Sequence, residues 1–210
     1  MMPQLEFRRL GVRDYAITAE EMRTWTQTRT PDTADEIWFL EHERVYTQGV
    51  SCRESVREGA PDIPLVKSDR GGQITYHGPG QLVAYLLLDL RRLGLGVRQL
   101  VRLIEASVIE LLGQYGLTAV ARPGAPGVYV DGEKIAALGL RVRSGCCYHG
   151  LSLNVDMDLE PFSRINPCGF AGLGVTSMKE HGLSVRVDVA VDALERIFEA
   201  RLFGKKTNVG

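Results

Sequence analysis

Gly127-Val128-Tyr129-Val130-Asp131-Gly132-Glu133-Lys134-Ile135-Ala136-Ala137-Leu138 places an Asp-Gly dipeptide between two strand-like runs. Asp-Gly tolerates the positive φ angles of a type I′ turn, whose twist matches that of the strands it joins. The segment therefore reads as an antiparallel hairpin, with Val130 opposite Glu133 and Tyr129 opposite Lys134. Side chains alternate faces along a strand, so Lys134 is expected to share its face with Ala136, Leu138 and Leu140. An ammonium among such neighbours is partly desolvated, which favours the neutral amine. A lysine at a hairpin end also snorkels to water, and the pattern leaves both readings open. Composition tilts it slightly: five of the 25 basic residues are lysine, and where arginine is the usual cation a lysine suits a need for an amine that can lose its proton.

Outward from the hairpin, strands and helices mix without strict alternation. Leu5 to Leu10 reads as a first strand. Asp14 to Gln27 reads as a helix, with Asp14 as its N-cap and Ile17, Met22 and Trp25 on about one side. Ile37 to Leu40, Leu65 to Lys67 and Val83 to Leu88 read as strands, the last buried on both faces. Apolar residues at Leu100, Leu103, Ile104, Val108, Leu111 and Leu112 predict a helix from Val97 to Tyr115 that Gly116 ends. A last helix is expected from about Val189 to Phe203. The fold class is α/β (α+β), one domain over residues 1–210 with a mixed β-sheet flanked by helices.

With 210 residues, 44% apolar and 24% charged, the chain has ordinary globular composition. Its 25 basic and 26 acidic residues leave a net charge of −1, which gives no footprint for nucleic acid or an anionic membrane. The longest apolar run, Leu82 to Leu88, is too short for a membrane span. Charges at Glu6, Arg8, Arg9, Arg13 and Asp14 leave no signal-peptide core, so a cytoplasmic location is expected. No metal site is expected, since the cysteines Cys52, Cys146, Cys147 and Cys168 lack zinc spacing and no H-x-x-x-H or carboxylate cluster occurs.

Three segments can carry chemistry. Arg70-Gly71-Gly72-Gln73-Ile74-Thr75-Tyr76-His77-Gly78-Pro79-Gly80-Gln81 lets backbone approach a ligand closely, with Arg70 able to bind a carbonyl or phosphate and His77 able to move a proton. From spacing alone it reads as a hairpin with glycine turns, and it matches neither a Walker loop nor a dinucleotide fingerprint. Ile165-Asn166-Pro167-Cys168-Gly169 puts Cys168 on a constrained turn, which suits a thiolate nucleophile; a buried structural thiol is the commoner fate of a cysteine. Ser144-Gly145-Cys146-Cys147-Tyr148-His149-Gly150 reads as a continuing strand whose two cysteines point to opposite faces and pack. His149 then faces a pocket or is hydrogen-bonded within the sheet, the latter leading. His42 and His181 have no partner pattern.

Taken together, these residues resemble a known family. Arg70-Gly71-Gly72, Thr75-Tyr76-His77, Gly80-Gln81 and Tyr85, then the hairpin with Lys134 and Gly139, then His149-Gly150, Leu153-Asn154 and Pro167-Cys168-Gly169, are similar in order and spacing to the lipoyl(octanoyl) transferases. The resemblance implies a catalytic domain like that of the biotin and lipoate ligases. It implies a Cys/Lys acyltransferase that moves an octanoyl group from acyl carrier protein to Cys168, and then to a lysine of a lipoyl domain. The implied acceptors are the lipoyl domains of 2-oxoacid dehydrogenase complexes and the glycine cleavage H protein. Lys134 is implied as the partner of Cys168. Arg70 through His77 (Arg70, Gly71, Gly72, Gln73, Ile74, Thr75, Tyr76, His77), Ala137-Leu138-Gly139 and Gly150-Leu151-Ser152 are implied to line the acyl site, with His149 in support. Neither ATP nor a metal is implied. Tyr129 replaces an expected tryptophan, and Leu151-Ser152 a frequent Phe-Ala pair, changes that bear on chain length. The rivals are an ATP-dependent lipoate or biotin ligase, a non-catalytic acyl- or lipoyl-domain-binding module, and a thiol hydrolase.

Overall fold

The computed structural model of the chain describes residues 5–52, 62–165 and 174–204. Its centre is the strand β6 (Gln81–Asp89), in which Leu82 through Leu88 are all buried. Leu82, Ala84, Leu86 and Leu88 face a core shared with two long helices, α3 (Val97–Gln114) and α4 (Val187–Phe203). Val83, Tyr85 and Leu87 face a second core with Tyr15, Ala19 and Met22 of helix α1 (Tyr15–Thr28). A strand covered on both faces has no polar side to show, which is why its sequence is a continuous apolar run.

Around β6 lie β1 (Leu5–Arg13), β2 (Asp35–His42), β7 (Ala119–Arg122), β8 (Ala125–Val130), β9 (Glu133–Arg143) and β10 (Cys146–Asn154), in the order β1-β2-β6-β10-β9-β8-β7. Among the described strands of this sheet only β1 and β2 pair in parallel. A second sheet, β4 (Leu65–Lys67), β3 (Val45–Gln48) and β5 (Ile74–His77), stands beside the first and is also mixed. The mixed sheet with flanking helices is thus as expected. Among the described residues no helix is long and apolar enough to cross a membrane.

The hairpin has the expected register, Val130 with Glu133 and Tyr129 with Lys134. Asp14 caps α1 by accepting from the amide of Ile17. The apolar stripe of α1 starts at Tyr15, however, and runs through Thr18, Ala19, Met22 and Thr26, leaving Ile17 59% exposed. The Gly-rich stretch is not a hairpin. Its first half, β5, pairs with β3, whereas its second half enters β6 of the large sheet. Gly80 makes the corner at φ +83°, where a Cβ would come within 1.9 Å of the Asp156 carbonyl oxygen. Nor does one strand run on through Cys146. Ser144 and Gly145, both at positive φ, form a second two-residue turn between β9 and β10.

Asp35 ties the far end of this sheet together. Fully buried, its Oδ1 accepts from Arg29 and Arg92, each at 2.7 Å, and from the amide of Asp89 at 2.8 Å. Removing one partner of a buried ion pair leaves the others uncompensated, so Asp35→Ala is expected to destabilise the protein by about 3–5 kcal/mol in urea denaturation.

Candidate active site

A cavity of about 380 Å³ opens between the two sheets, walled by β9, β10 and the Arg70 loop. Of the residues singled out from sequence, 70–75, His77, Lys134, 137–139 and 149–152 line it. Tyr76 does not line it and packs with Tyr46 and Phe162 at ring distances of 5.6 and 5.5 Å. Cys168 lies outside the described residues. Cys146 and Cys147 are buried, and burial raises the Cys147 thiol to about 12, which suits packing rather than chemistry.

Lys134 is 7% exposed, and its Nζ lies 3.5 Å from the Pro126 carbonyl and 5.4 Å from the centre of the Tyr129 ring. The stem lies against Gly127, where a Cβ would meet Lys134 Cε at 3.1 Å and the Ala136 carbonyl at 2.9 Å. Gly127 is held in turn by its amide, which donates to the buried Glu105 of α3. The backbone of Lys134 pairs with Gly174–Thr176: its N–H donates to Gly174 at 2.9 Å, and its carbonyl accepts from Thr176 at 3.0 Å. Lys134, Ala136, Leu138 and Leu140 all face the cavity, so the buried reading of the lysine is the one the fold adopts.

Behind the wall runs a chain of buried hydrogen bonds whose direction is fixed. The guanidinium of Arg70 donates to Thr47 (Oγ1 and carbonyl, 2.6–3.2 Å) and to the Gly71 carbonyl at 3.0 Å. Its own chain thus engages all three nitrogens, and the group braces the glycine loop. The Gln81 amide nitrogen donates to Asn154 and to the Tyr76 carbonyl, so its oxygen faces His77 and must accept from His77 Nδ1 at 2.7 Å. His77 Nε2 then accepts from the Thr47 hydroxyl at 3.3 Å. Burial, with His42 nearby, holds His77 well below its ordinary pKa. Both nitrogens are occupied, so His77 is a neutral structural link and not a proton carrier.

His42, without a partner pattern in the sequence, is fully buried behind the cavity wall, its ring 5.8 Å from those of His77 and Tyr85. Its Nδ1 donates to the Arg13 carbonyl at 2.8 Å, which leaves Nε2 to accept from the Tyr85 hydroxyl at 2.6 Å. Burial pulls it down to about 4. His149 donates from Nε2 to Asp69 at 2.8 Å, and Tyr148 donates to the same carboxylate. These two bonds hold Asp69 well below the usual carboxylate range, while burial lowers the pKa of His149 against the opposing pull of Asp69. Sequence reasoning passed over Thr47, Asp69, Gln81, Tyr85 and Asn154 as site residues. Gln81, Tyr85 and Asn154 sat in the recognised motif, and Asp69 immediately precedes it.

The matching family model is described as the lipoyl protein ligase A/B catalytic domain and spans residues 15–199. An octanoyltransferase of Pseudomonas putida (strain W619) is 58% identical over 184 residues, covering 88% of this chain and 86% of its own. A crystal structure of lipoate-protein ligase A bound with ATP superposes with a TM-score of 0.78 at 18% identity, covering 96% of this chain and 86% of the other. Biotin protein ligase from Aquifex aeolicus superposes at 0.58 with 13% identity, covering 94% and 68%. These two likenesses are of fold.

A neutral buried histidine makes stability depend on pH. Unfolded His42 takes up a proton near pH 6.5, whereas folded His42 does so only near 4. Stability is therefore complete above about pH 6.5 and is lost as pH falls toward 4, by up to about 3 kcal/mol from this group. Urea denaturation at pH 7.5 and 4.5 is expected to show the loss, with a shallower dependence in His42→Asn; an equal slope in that variant removes His42 from the account.

Proposed function

The chain belongs to the octanoyltransferases of the lipoyl protein ligase A/B catalytic family, and from that premise we propose that it works through a Cys168 acyl-thioester with Lys134 as its proton partner. It is an acyltransferase of protein lipoylation, with an acyl donor and lipoyl-domain acceptors. The donor in this proposal is octanoyl-acyl carrier protein. The acceptors are lipoyl domains of 2-oxoacid dehydrogenase complexes and the glycine cleavage H protein.

Two half-reactions follow. The Cys168 thiol gives its proton to Lys134, and the thiolate attacks the carbonyl of the carrier's thioester. The carbon–sulfur bond to the carrier breaks, and the carrier thiol leaves with the proton. The amine of the acceptor lysine then attacks the Cys168 thioester, forming an amide and releasing the thiolate while Lys134 takes the amine's proton. Sulfur serves both halves because thiolate attacks well and leaves well. The thioester is already activated, so the proposal needs neither ATP nor a metal, and a reducing cytoplasm keeps the thiol available.

The observation that carries this reading is the pairing of Lys134 with Gly174–Thr176. The 34 positions between Lys134 and Cys168 say nothing by themselves about proximity. The described chain on either side of Cys168, however, includes Phe162 and Val175 in the cavity wall, beside Lys134. The apolar walls formed by Ile74, Val83, Ala136, Leu138 and Leu151 suit an alkyl chain.

Incubation with octanoyl-acyl carrier protein is expected to add one octanoyl mass to the intact protein, absent in Cys168→Ser. ATP-dependent turnover without that adduct would overturn the proposal in favour of a ligase. Lys134→Arg is expected to lower transfer by about 10²-fold or more, since arginine stays protonated; near-normal rates exclude Lys134 from the mechanism. Gly127→Ala, which pushes on the lysine stem without removing the amine, is expected to lower kcat by up to about 10²-fold while circular dichroism stays unchanged.

A further inference from the structure

A second, polar cavity of about 450 Å³ opens at the far end of β9. Arg143, which borders it, is nine residues from Lys134, or about 30 Å of strand. The floor is one rung of the large sheet: Cys146 of β10 is the register partner of Asp89 on one side and of Arg143 on the other. Paired residues of neighbouring strands present their side chains on one face, here the face of Tyr148, which packs with α1. The roof is the C-terminal end of α1 and the turn after it, Thr26 to Pro31. Arg91 and Ser144 complete the rim. Arg91 lies across the β9–β10 turn, where a Cβ on Gly145 would collide with its Nε and Cδ.

Charge at this end is unbalanced. Arg29 and Arg92 share the single carboxylate of Asp35, and the side chains of Arg29 and Asp35 are 5% and 0% exposed. One positive charge is thus left over in a buried cluster, which is costly unless a counter-charge comes near. Arg29 Nη1, Arg92 Nε, Asp35 Oδ2 and Thr26 Oγ1 have no hydrogen-bond partner among the described residues. These atoms are sealed from a ligand; what reaches the cavity is the charge of the cluster, through Arg29 in its wall. Arg91 and Arg143 add two exposed guanidiniums. Arg143 forms no ion pair among the described residues, and Arg91 has only Asp89, at 3.8 Å. The same Asp89 oxygen already accepts from the amides of Arg91 and Arg92. Four arginines thus face two carboxylates. The negative end of the α1 dipole offsets about half a charge, and Asp32 in the adjoining turn is exposed and forms no ion pair among the described residues.

We propose that this cavity binds a small phosphate-bearing anion, inorganic phosphate or a phosphate monoester, held by the guanidiniums of Arg91 and Arg143 above the positive floor of Arg29 and Arg92. A dianion matches the surplus charge, and the planar guanidinium fork suits its oxygens. The Ser144 hydroxyl at the rim offers a further donor. No aromatic ring is among the described residues that line the cavity, so a nucleobase finds no stacking face and the recognised part is the phosphate. The polar lining excludes an alkyl chain, and the distance from Lys134 sets the site apart from the acyl cavity. The inference therefore stands independently of the Cys168 mechanism.

Isothermal titration calorimetry with inorganic phosphate and with glycerol 3-phosphate, at pH 8 and an ionic strength held constant with chloride, tests it on the full chain. Saturable binding at one site per chain is expected for at least one of the two. Arg91→Ala and Arg143→Ala are each expected to weaken it by about tenfold or more, the worth of a charge-assisted hydrogen bond, and Arg143→Glu to abolish it. Arg196→Ala, which removes an exposed arginine of α4 instead, is expected to leave it unchanged. The rim side chains are exposed, so these variants are expected to fold. Bound phosphate is also expected to raise the urea midpoint of the wild type above its value in chloride, a gain that both alanine variants lose. No saturable binding of either anion, or binding that both alanine variants leave unchanged, overturns the proposal. Cys168→Ser protein is expected to bind as the wild type does, so failure of the thioester mechanism and failure of this site are read separately.

Discussion

Two backbone hydrogen bonds, joining Lys134 to Gly174 and Thr176, connect the hairpin to the chain that follows Cys168. They are ordinary amide bonds, each worth only about 1 kcal/mol net. Their effect is positional: they put a segment far along the sequence beside the amine that lines the cavity. Thr176 also takes part in the buried network, since its carbonyl accepts from Asn154, which accepts from Gln81. A directed run of hydrogen bonds thus extends from Arg70 through Thr47, His77, Gln81 and Asn154 to the strand stub beside Lys134. The glycine loop, both sheets and the lysine share one frame.

That frame assigns the polar groups their roles. A buried polar network in a low-dielectric interior is favourable only when its members are paired. Within the Arg70-to-Asn154 run each donor has an acceptor, which explains how His77 and a buried arginine sit beside an apolar cavity. The glycines enter as clearances: at Gly127 the lysine stem occupies the space that a Cβ would need, and at Gly80 the chain turns from one sheet into the other.

Much of this was legible in the residues. The Asp-Gly turn fixed the hairpin and the partner of Lys134, and the 3.6-residue period gave α3, whose Leu100, Ile104, Val108, Leu111 and Leu112 are all fully buried. The lining segments were legible through spaced motifs. Pairing between distant segments was not. β3 is four residues long and carries no local signal that it joins β5 in a separate sheet, so the Gly-rich stretch looked like a hairpin. His42 has meaning only through Arg13 and Tyr85, 29 and 43 positions away. His149 defeats pattern reading for another reason: its backbone is left-handed at φ +61°, and its side chain leaves the face that alternation assigns to stack on Tyr148. Ile17 illustrates the limit of helical spacing, since shifting the stripe by two residues exposes it.

The topology also orders events in time. β8, β9 and β10 are consecutive and joined by two-residue turns, so their contacts close short loops. The contacts of Lys134 with Gly174 and Thr176 close loops of about 40 residues, and β10 pairs with β6 across longer ones still, from Cys146 with Asp89 to Asn154 with Gln81. Short loops close at less entropic cost than long ones, and non-local pairings dominate slow folding. The meander that carries the lysine therefore precedes, during folding, the neighbours that complete its surroundings. Refolding from denaturant restores strand signal before it restores a competent site.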